Sequence, residues 1–507
     1  MKTHSLLKTF WQCLGLASLV LLANYADLLG SGSNVRLHVP LALGGICLAQ
    51  IADILLLGTG LFAVLAPLRR TRLYPYVQLI LAALAPPFII LRVTPLFSFR
   101  VTHRELIAIA LGWAAAVVLI RLSSAWYKRM IRFGSGLGAS FAIFALLSIL
   151  QLLWIAHWKP GPQQHSVSWA VTPQPPRDHP LLVWIVFDEL SYQQAFEQQA
   201  RDLALPHFDA LRVQSTLFTN VQPAGYKTAK ILPSLLSGQE ITDLRFDMQN
   251  QLLVHAEGVQ GFHRLTGSGT VFADAQQNGW RTAAVGWYNP YCGIYAGAID
   301  DCYWTNWDVL AGSMAQRDGL WSNTLSPLKQ LALKSLEPEK EDRGGCDHDV
   351  RSRYQTHIDL EQHAMQVLQT GQADFIFLHM AVPHSPNIWS RANNGYTQRC
   401  GGSYLDSLAL ADHELGKMMT LLESSPRWKE TTLIVEGDHG WRIKLWNEGS
   451  AWTEDDDVAS RGVFDQRPAL LIHQPGQSQA QTNATAWPLL RVHNVVDEIL
   501  RSEAVRY

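Results

Sequence analysis

An apolar run, Leu181–Phe187, stops at two acids, Asp188 and Glu189. Such an unbroken run, rich in β-branched and aromatic side chains, is typical of a strand buried on both faces of a parallel sheet. Ligands of open α/β sheets bind beyond the carboxyl ends of the strands, so the two carboxylates are expected at the edge of a site. There they could hold a metal ion, or an acid could cap the helix that follows.

Two further predicted strands end in groups of the same kind. The strand at Thr431–Glu436 is followed by Asp438 and His439, within the sequence GDHG. An acid and an imidazole side by side can both reach one divalent cation. Another strand ends at His379, and His384 of PHSP lies just beyond it. Three strand ends therefore deliver acids or histidines to one edge of a sheet, which predicts a metal site there.

The candidate nucleophile is Thr228, in the stretch GYKTAKILPSLLSG. It follows a strand predicted at Thr216–Asn220 and lies near the start of a predicted helix. The free N–H groups and the dipole of a helix N-terminus favour an anion such as phosphate. The simpler interpretation is that Thr228 caps the helix.

The elements that would position these residues alternate between strands and helices from Leu181 onward. The other predicted strands are Trp280–Trp287, Asp374–His379 and Ala469–His473. A helix is predicted to start within Gly267–Gln277, and further helices are predicted at Leu360–Thr370, Tyr404–Leu422 and Asn494–Arg501. This alternation predicts a doubly wound α/β sheet.

The first third of the 507-residue chain is much more apolar than the rest, although the whole is 48% hydrophobic and only 17% charged. Crossing a bilayer takes roughly 20 apolar residues. The five predicted spans are Phe10–Leu29, Val39–Leu65, Val77–Val93, Leu106–Ile120 and Leu137–Trp158. We therefore expect a transmembrane helical domain at 1–158, a proline- and glutamine-rich linker at 159–180 and an exported domain at 181–507.

Basic residues orient the predicted spans. They cluster before the first span, between the second and third, and between the fourth and fifth, at Lys2, Lys8, Arg69, Arg70, Arg72, Arg121, Lys128, Arg129 and Arg132. Because positive residues favour the cytoplasmic side, the N-terminus is predicted inside and the domain after the last span outside. The formal net charge of −2 gives no global basic field, so nucleic acid is not an expected partner.

The four cysteines of the exported part, an even number, suit disulfides in an oxidising compartment. Three pairings are possible, and we favour Cys292–Cys302 with Cys346–Cys400 because the first pair brackets a short loop. A zinc site is the alternative, although the spacing lacks a Cys-x-x-Cys knuckle.

From Leu181 to near its C-terminus the chain resembles the alkaline phosphatase superfamily, and within it the sulfatase-like branch. The first metal acid of the family ends the first sheet strand, as Asp188 does here. The family nucleophile precedes a P-S-x-x-[TS]-G helix, as Thr228 precedes Pro233–Gly238. The family motifs Asp-His-Gly and His-Ser-Pro match Asp438–Gly440 and His384–Pro386.

The whole chain is similar to bacterial membrane phosphotransferases of that branch, the lipid A phosphoethanolamine transferases and lipoteichoic acid synthases. Its N-terminal part matches them only in the number of spans. This resemblance implies a multi-pass protein of the bacterial inner membrane with a periplasmic catalytic domain.

The resemblance also implies one divalent cation, zinc in the first place and manganese or magnesium as alternatives. Asp188, Thr228, Asp438 and His439 would hold it, and Glu189 would be either a further ligand or a helix cap.

The implied reaction moves a phospholipid head group, phosphoethanolamine or phosphoglycerol. Thr228 would attack its phosphorus, giving a phosphothreonine and releasing the lipid. A hydroxyl of an envelope glycan or lipid would then accept the group. His384 would steady the transferred group or protonate the leaving oxygen.

Five other polar residues are candidates for substrate contact: His379, Lys227, Asn289, Lys444 and Arg467. Each also has a simpler interpretation. His379 could be a packed core histidine, Asn289 a turn residue, and the three basic side chains could be solvated.

Sulfatases that use formylglycine carry a cysteine or serine in a Cys/Ser-x-Pro-x-Arg box, where this chain has Thr228-Ala229-Lys230. Threonine cannot become formylglycine, so the sequence disfavours sulfate-ester hydrolysis by that route. Two alternatives to a transferase stay open. One is a metal-dependent phosphodiesterase or sulfatase-like hydrolase with water as acceptor, and the other is a non-catalytic lipid-binding relative.

Overall fold

A computed structural model of the chain describes residues 2–29, 43–93, 103–157, 164–166, 179–247, 251–306, 320–321, 323–325, 343–447, 451–460 and 465–502. The chain forms two compact units. One comprises Met1–Arg36, Leu41–Lys159 and Ser313–Pro338, and the other comprises Leu37–Pro40, Pro160–Gly312 and Glu339–Tyr507.

The first unit is helical. Its helices are α1 (Lys2–Val20), α2 (Leu22–Leu29), α3 (Leu43–Leu68), α4 (Tyr74–Val93), α5 (His103–Leu122) and α6 (Ser124–Ile155). Helix α1 packs against α3 and α6, and α4 packs against α5.

Within the described residues, one helical stretch, Gly44–Leu68, is long and apolar enough to cross a membrane, with a mean hydropathy of 2.1. Four other apolar stretches are shorter, at 10–17 residues each: Leu6–Val20, Tyr74–Leu84, Ile107–Leu122 and Ser140–Ile155. The structure thus supports one membrane-spanning helix where the sequence predicted five.

A nine-stranded sheet forms the centre of the second unit. Its strands are β1 (Gln164–Ser166), β2 (Leu181–Phe187), β3 (Thr216–Phe218), β8 (Thr282–Trp287), β9 (Asp301–Thr305), β10 (Phe375–Met380), β13 (Thr431–Gly437), β14 (Leu470–His473) and β15 (Gln481–Asn483). They lie in the order β1-β9-β8-β10-β2-β13-β14-β3-β15. The smaller strands are β4 (Val221–Gln222), β5 (Ile241–Phe246), β6 (Leu252–Ala256), β7 (His263–Arg264), β11 (Trp389–Ser390), β12 (Gly395–Tyr396) and β16 (Trp487–Pro488).

The helices of this unit lie between the strands in sequence. They are α7 (Pro206–Arg212), α8 (Thr228–Ser237), α9 (Val271–Gln277), α10 (Tyr291–Ile294), α11 (Arg343–Thr370), α12 (Tyr404–Ser424), α13 (Ile443–Trp446), α14 (Glu454–Ser460) and α15 (Arg491–Leu500). A π-helix at Gln193–Glu197 and a 3₁₀ turn at Trp428–Glu430 complete the set.

Strand β2 divides the core into two layers because its side chains alternate between the faces of the sheet. Leu181, Val183, Ile185 and Phe187 pack on one face, with side chains of α11 and α12. Leu182, Trp184 and Val186 pack on the other, with side chains of α8, α9 and α15. All seven positions are buried, which explains the unbroken apolar run in the sequence.

The α/β architecture predicted from the alternation is confirmed, with two differences. The sheet is mixed, because β14 runs antiparallel to both β13 and β3. Helix α11 begins at Arg343, well before the predicted Leu360, because its first half is polar and carries little apolar periodicity.

Both disulfides expected from the spacing are present in this unit. Cys292 is bonded to Cys302, with a Cα–Cα distance of 5.6 Å, and Cys346 is bonded to Cys400. The first ties α10 to β9, and the second ties the start of α11 to the loop before α12.

Close backbone packing at the end of β13 gives a stability prediction. A Cβ atom on Gly437 would lie 2.3 Å from the carbonyl oxygen of Leu190, which is backbone and cannot rotate away. Gly437→Ala should therefore lower the free energy of unfolding by about 1–3 kcal/mol, as overpacking does in other cores. The measurement is the thermal unfolding midpoint of the detergent-solubilised chain.

The matched control is Gly395→Ala in β12, where the nearest heavy atom would be 3.6 Å from the new Cβ. Its midpoint should stay close to that of the unmodified chain. Equal midpoints for the two variants would contradict the close packing at Gly437.

Candidate metal centre

Parallel pairing of β2 with β13 brings two aspartates to one edge of the sheet. Phe187 and Gly437 are register partners at the ends of these strands. The next residues, Asp188 and Asp438, are therefore neighbours, and both are fully buried. The backbone N–H groups of Glu189 and His439 donate to Asp438 Oδ1, at 3.0 and 2.9 Å, and this orients its carboxylate.

Thr228 is the first residue of α8, and its side chain is 4% exposed. Its hydroxyl lies 2.8 Å from Asp438 Oδ2, 3.2 Å from Asp188 Oδ2 and 3.3 Å from His439 Nε2. Lys227 occupies the N-cap position of α8 in an extended conformation, and its side chain makes no capping hydrogen bond. The hydroxyl thus faces the two carboxylates instead of capping its helix.

The imidazole of His439 is oriented by its own loop. Its Nδ1 lies 2.9 Å from the carbonyl oxygen of Gly440. A carbonyl can only accept, so Nδ1 carries the proton and Nε2 presents a lone pair in the neutral ring. That lone pair faces Asp438 Oδ2 at 3.3 Å and Asp188 Oδ1 at 3.8 Å. A histidine held this way is typical of a metal ligand.

His379 in β10 is held in the same way on the other side of Asp188. Its Nδ1 lies 2.8 Å from the carbonyl oxygen of Trp287 and 2.9 Å from the hydroxyl of Tyr291. Its Nε2 has no hydrogen-bond partner in the described part of the chain and faces Asp188 Oδ2 at 3.5 Å. The imidazole is fully buried. His379 therefore borders the site directly.

The donor set fits a divalent cation. One ligand atom from each of Asp188, Asp438 and His439 lies within 4.8 Å of the other two, and all three residues are buried. Asp188 Oδ1 has no hydrogen-bond partner among the described residues. Burial raises the pKa of Asp438, and the charge on Asp188 raises it further. A cation bound among these atoms would offset both costs.

Glu189 does not belong to this ligand group. Its carboxylate accepts from Arg442 Nε at 2.6 Å and from Trp446 Nε1 at 3.0 Å. The residue has a φ of +69°, which turns its side chain away from the neighbouring Asp188. The paired acids predicted from the sequence therefore separate: Asp188 faces the hydroxyl, while Glu189 holds Arg442 and Trp446.

His384 lies in the loop after β10, half-buried between two indole rings. Its ring centroid is 5.0 Å from those of Trp287 and Trp446. Arg353 of α11 holds this loop through the carbonyl oxygens of Ala381 and Ser385, at 2.5 and 3.0 Å. Burial lowers the pKa of His384 well below its usual value despite the nearby charge of Asp188. The ring is consequently neutral at pH 7.

The remaining predicted contacts lie in different surroundings. Lys227 and Lys444 are exposed. Asn289 is buried and follows Tyr288, whose pKa is raised to about 12 by burial and by the charge of Asp188. Arg467 donates to Asp465, to Glu197 and to the carbonyl oxygen of Thr219.

Sequence reasoning missed Arg442, Trp446 and Arg353. Arg442 follows Asp438 in the loop after β13, and Trp446 ends the short helix α13 that comes next, so their closeness in sequence to Asp438 was the available signal. Arg353 carried no comparable signal, because it reaches the His384 loop only through the tertiary packing of α11.

The fold and site together define an α/β domain with a hydroxyl, two carboxylates and an imidazole at the carboxyl edge of its sheet. The family model for Sulfatase matches residues 180–500. The chain belongs to the Sulfatase family, whose members are metal-dependent.

Several solved structures are similar to the chain at low identity. Ps i-CgsB in complex with k-i-k-neocarrahexaose is 14% identical over 64% of this chain and 73% of its own, with a TM-score of 0.43. The PsFucS1 sulfatase from Pseudoalteromonas sp. is 13% identical over 64% and 68%, with a TM-score of 0.42. The phosphonate monoester hydrolase of Agrobacterium radiobacter is 13% identical over 64% and 74%, with a TM-score of 0.39. No curated protein sequence matches the chain.

The ligand group predicts which substitutions remove the metal. Asp438→Asn and His439→Gln should each reduce the bound divalent metal of the purified full-length chain by at least tenfold, because each removes a charge or a lone pair from the group. The measurement is elemental analysis by inductively coupled plasma mass spectrometry after dialysis against metal-free buffer.

The matched control is Glu436→Gln on the same strand. Burial raises the pKa of Glu436 well above its usual value and so favours the neutral carboxyl, which accepts from Trp184 Nε1 at 2.9 Å. The amide should preserve that hydrogen bond and the metal content. Full metal content in Asp438→Asn would contradict the assignment of this ligand.

Proposed function

We propose that the chain is a membrane-anchored, metal-dependent phosphotransferase acting through a phosphothreonine at Thr228. It moves a phospholipid head group, phosphoethanolamine or phosphoglycerol, to a hydroxyl of an envelope glycan or lipid. The observation that carries the proposal is the Thr228 hydroxyl, which lies within 3.3 Å of Asp188, Asp438 and His439 at the start of a helix. A hydroxyl in this position suits a nucleophile toward phosphorus.

Asp188, Asp438 and His439 would hold the cation together with the oxygen of Thr228, and zinc, manganese or magnesium suits such a mixed set. When bound, the cation supplies a lower hydroxyl pKa and charge neutralisation for the phosphate.

In the first half-reaction, Thr228 Oγ1 gives its proton to Asp438 Oδ2, 2.8 Å away, and attacks phosphorus. The bond between phosphorus and the diacylglycerol oxygen breaks, and that oxygen, on the side of phosphorus opposite Thr228, takes a proton from water. In the second, an acceptor hydroxyl attacks the phosphothreonine from that same side. The neutral imidazole of His384 receives its proton and passes it to water, and Asp438 returns its own proton to the Thr228 oxygen as the enzyme is regenerated.

The N-terminal helices support a place at the membrane. A donor in the outer leaflet is within reach of a domain held against that leaflet, and the two disulfides suit an exported domain. We further propose that five segments span the bacterial inner membrane, with the N-terminus in the cytoplasm. The apolar stretches in α1, α4, α5 and α6 are the four additional spans.

Trapping the intermediate tests the reaction. Detergent-solubilised protein incubated with head-group-labelled phospholipid and no acceptor should accumulate label on the peptide that contains Thr228, as read by mass spectrometry. Thr228→Ala should lose the label entirely, whereas Thr228→Ser should keep it, because serine preserves the hydroxyl.

Diacylglycerol release separates a transferase from a hydrolase. A transferase should release at most about one equivalent until a glycan or lipid acceptor is added, whereas steady release without acceptor would replace the transferase by a hydrolase. If the unmodified chain with bound metal forms no labelled Thr228 with either phospholipid, the proposed function is wrong.

Reporter fusions test the membrane topology. A reporter active only in the periplasm should be silent when fused after Arg70 and active when fused after Lys159, because an odd number of spans separates the N-terminus from Lys159. Activity after both positions would contradict the five-span arrangement and leave the catalytic proposal unaffected.

A further inference from the structure

A cavity of about 200 Å³ lies beside the metal centre, and neither the ligands nor the nucleophile line it. Four aromatic side chains, Tyr404, Trp441, Trp446 and Trp452, form its walls. We call it the aromatic pocket. Its volume is below the roughly 300–1,000 Å³ typical of sites for drug-sized ligands. It therefore suits a group of a few heavy atoms rather than an oligosaccharide.

The aromatic walls are built as a stack. The ring centroid of Tyr404 lies 4.3 Å from that of Trp441, with an interplanar angle of 11°. The ring centroid of Trp452 lies 5.3 Å from that of Trp441, with an interplanar angle of 15°. Both neighbours of Trp441 in this stack are protein rings, so this indole is unsuited as a broad platform for a sugar. The attraction of a π face for a cation therefore belongs to the outer rings of the stack, Tyr404 and Trp452, and to Trp446.

The charged groups of the pocket are acidic. Asp349, half-buried, and Asp456, 3% exposed, both line it, and no Lys or Arg is among its described lining residues. Asp456 is held by the N–H groups of Tyr404 and Thr453, at 2.7 and 2.9 Å, so its carboxylate is fixed in place. Such a lining repels an anion and attracts a cation.

The aromatic pocket is connected to the site through shared residues. Ser385 and Pro386, directly after His384, line it. Trp446 lines it too, while its Nε1 donates to Glu189, the residue after the ligand Asp188. A group bound in the aromatic pocket thus contacts Ser385, the sequence neighbour of His384, and Trp446, which is hydrogen-bonded to the sequence neighbour of Asp188.

From this arrangement we infer that the aromatic pocket binds the ammonium end of a zwitterionic phospholipid head group whose phosphate lies at the metal centre. The inference rests on the proposed function and narrows its substrate to head groups with an amine, such as phosphoethanolamine, over phosphoglycerol. The pocket is a specificity-determining subsite and takes no part in bond breaking.

Binding of small cations tests the pocket without requiring turnover. Choline and its uncharged isostere 3,3-dimethylbutan-1-ol are titrated into the full-length protein in detergent, and binding is followed by tryptophan fluorescence and calorimetry. Choline should bind at least tenfold more tightly than the alcohol. Asp349→Asn should weaken choline about tenfold, since it removes one carboxylate charge without changing shape.

The matched control is Asp209→Asn, which removes a charge from an exposed pair with Arg212. It should leave choline binding unchanged. Equal binding of choline and the alcohol, or no binding of either, would overturn the inference.

A second arm measures labelling of Thr228 with phosphatidylethanolamine and with phosphatidylglycerol as donors. The unmodified chain should prefer the former, and Trp452→Leu and Asp349→Asn should each reduce the ratio of the two rates about tenfold. An unchanged ratio in Asp349→Asn, with Thr228 still labelled, overturns the inference and leaves the proposed function intact. If neither lipid labels Thr228, the proposed function fails, and choline binding alone decides the role of the pocket.

Discussion

Two buried carboxylates facing each other need a positive partner, and this need shapes the carboxyl edge of the sheet. Among the described residues, no Lys or Arg forms a hydrogen bond or ion pair with Asp188 or Asp438. A second buried cluster in the same unit shows the contrast. There Lys417 lies 2.5 Å from Glu361 and 3.1 Å from Glu414, so the chain itself supplies the cation. At the metal centre it supplies a hydroxyl and lone pairs instead, a set that a divalent ion completes.

The topology of the sheet makes this arrangement unavoidable once the strands pair. Adjacent parallel strands end at the same edge, and the pairing of Phe187 with Gly437 leaves no freedom in where Asp188 and Asp438 lie. Gly437 permits the close approach of Leu190 that the register requires. Strand β10 adds His379 from the other side of β2. The site is therefore a property of the packed sheet as much as of its loops.

This explains how much of the site could be predicted from sequence. Asp188 directly follows a strong apolar run, and Asp438 and His439 come just after another, so the local pattern was enough to place them. The pattern placed Thr228 at a helix start after a strand and left open whether it caps the helix, and the resemblance to the sulfatase-like branch indicated a nucleophile. The direction of the Glu189 side chain could not be predicted, because it depends on a positive φ and on Arg442, 253 residues later in the chain. The contacts of Arg467 could not be predicted for the same reason: its partner Glu197 is 270 residues away in sequence.

The fold followed the same division. Long buried strands such as β2 and β13 could be predicted from their apolar runs. Strands β1, β9 and β15 could not, because they lie toward the sheet edges and are short or mixed in polarity. In the membrane part the apolar runs were clear in the sequence, and one described stretch, Gly44–Leu68, is long and apolar enough to cross a bilayer.

The residues that sequence reasoning missed are those that connect the metal centre to its surroundings. Arg442 and Trp446 both donate hydrogen bonds to Glu189. Trp446 also packs against the ring of His384 and lines the aromatic pocket. Asp438, a proposed metal ligand, and Trp446, a wall of the aromatic pocket, belong to one short stretch of chain. Glu189 fixes that stretch against β2 through a buried ion pair with Arg442, which costs a positive φ of +69°. Through these contacts Glu189 connects the metal centre to the wall of the aromatic pocket.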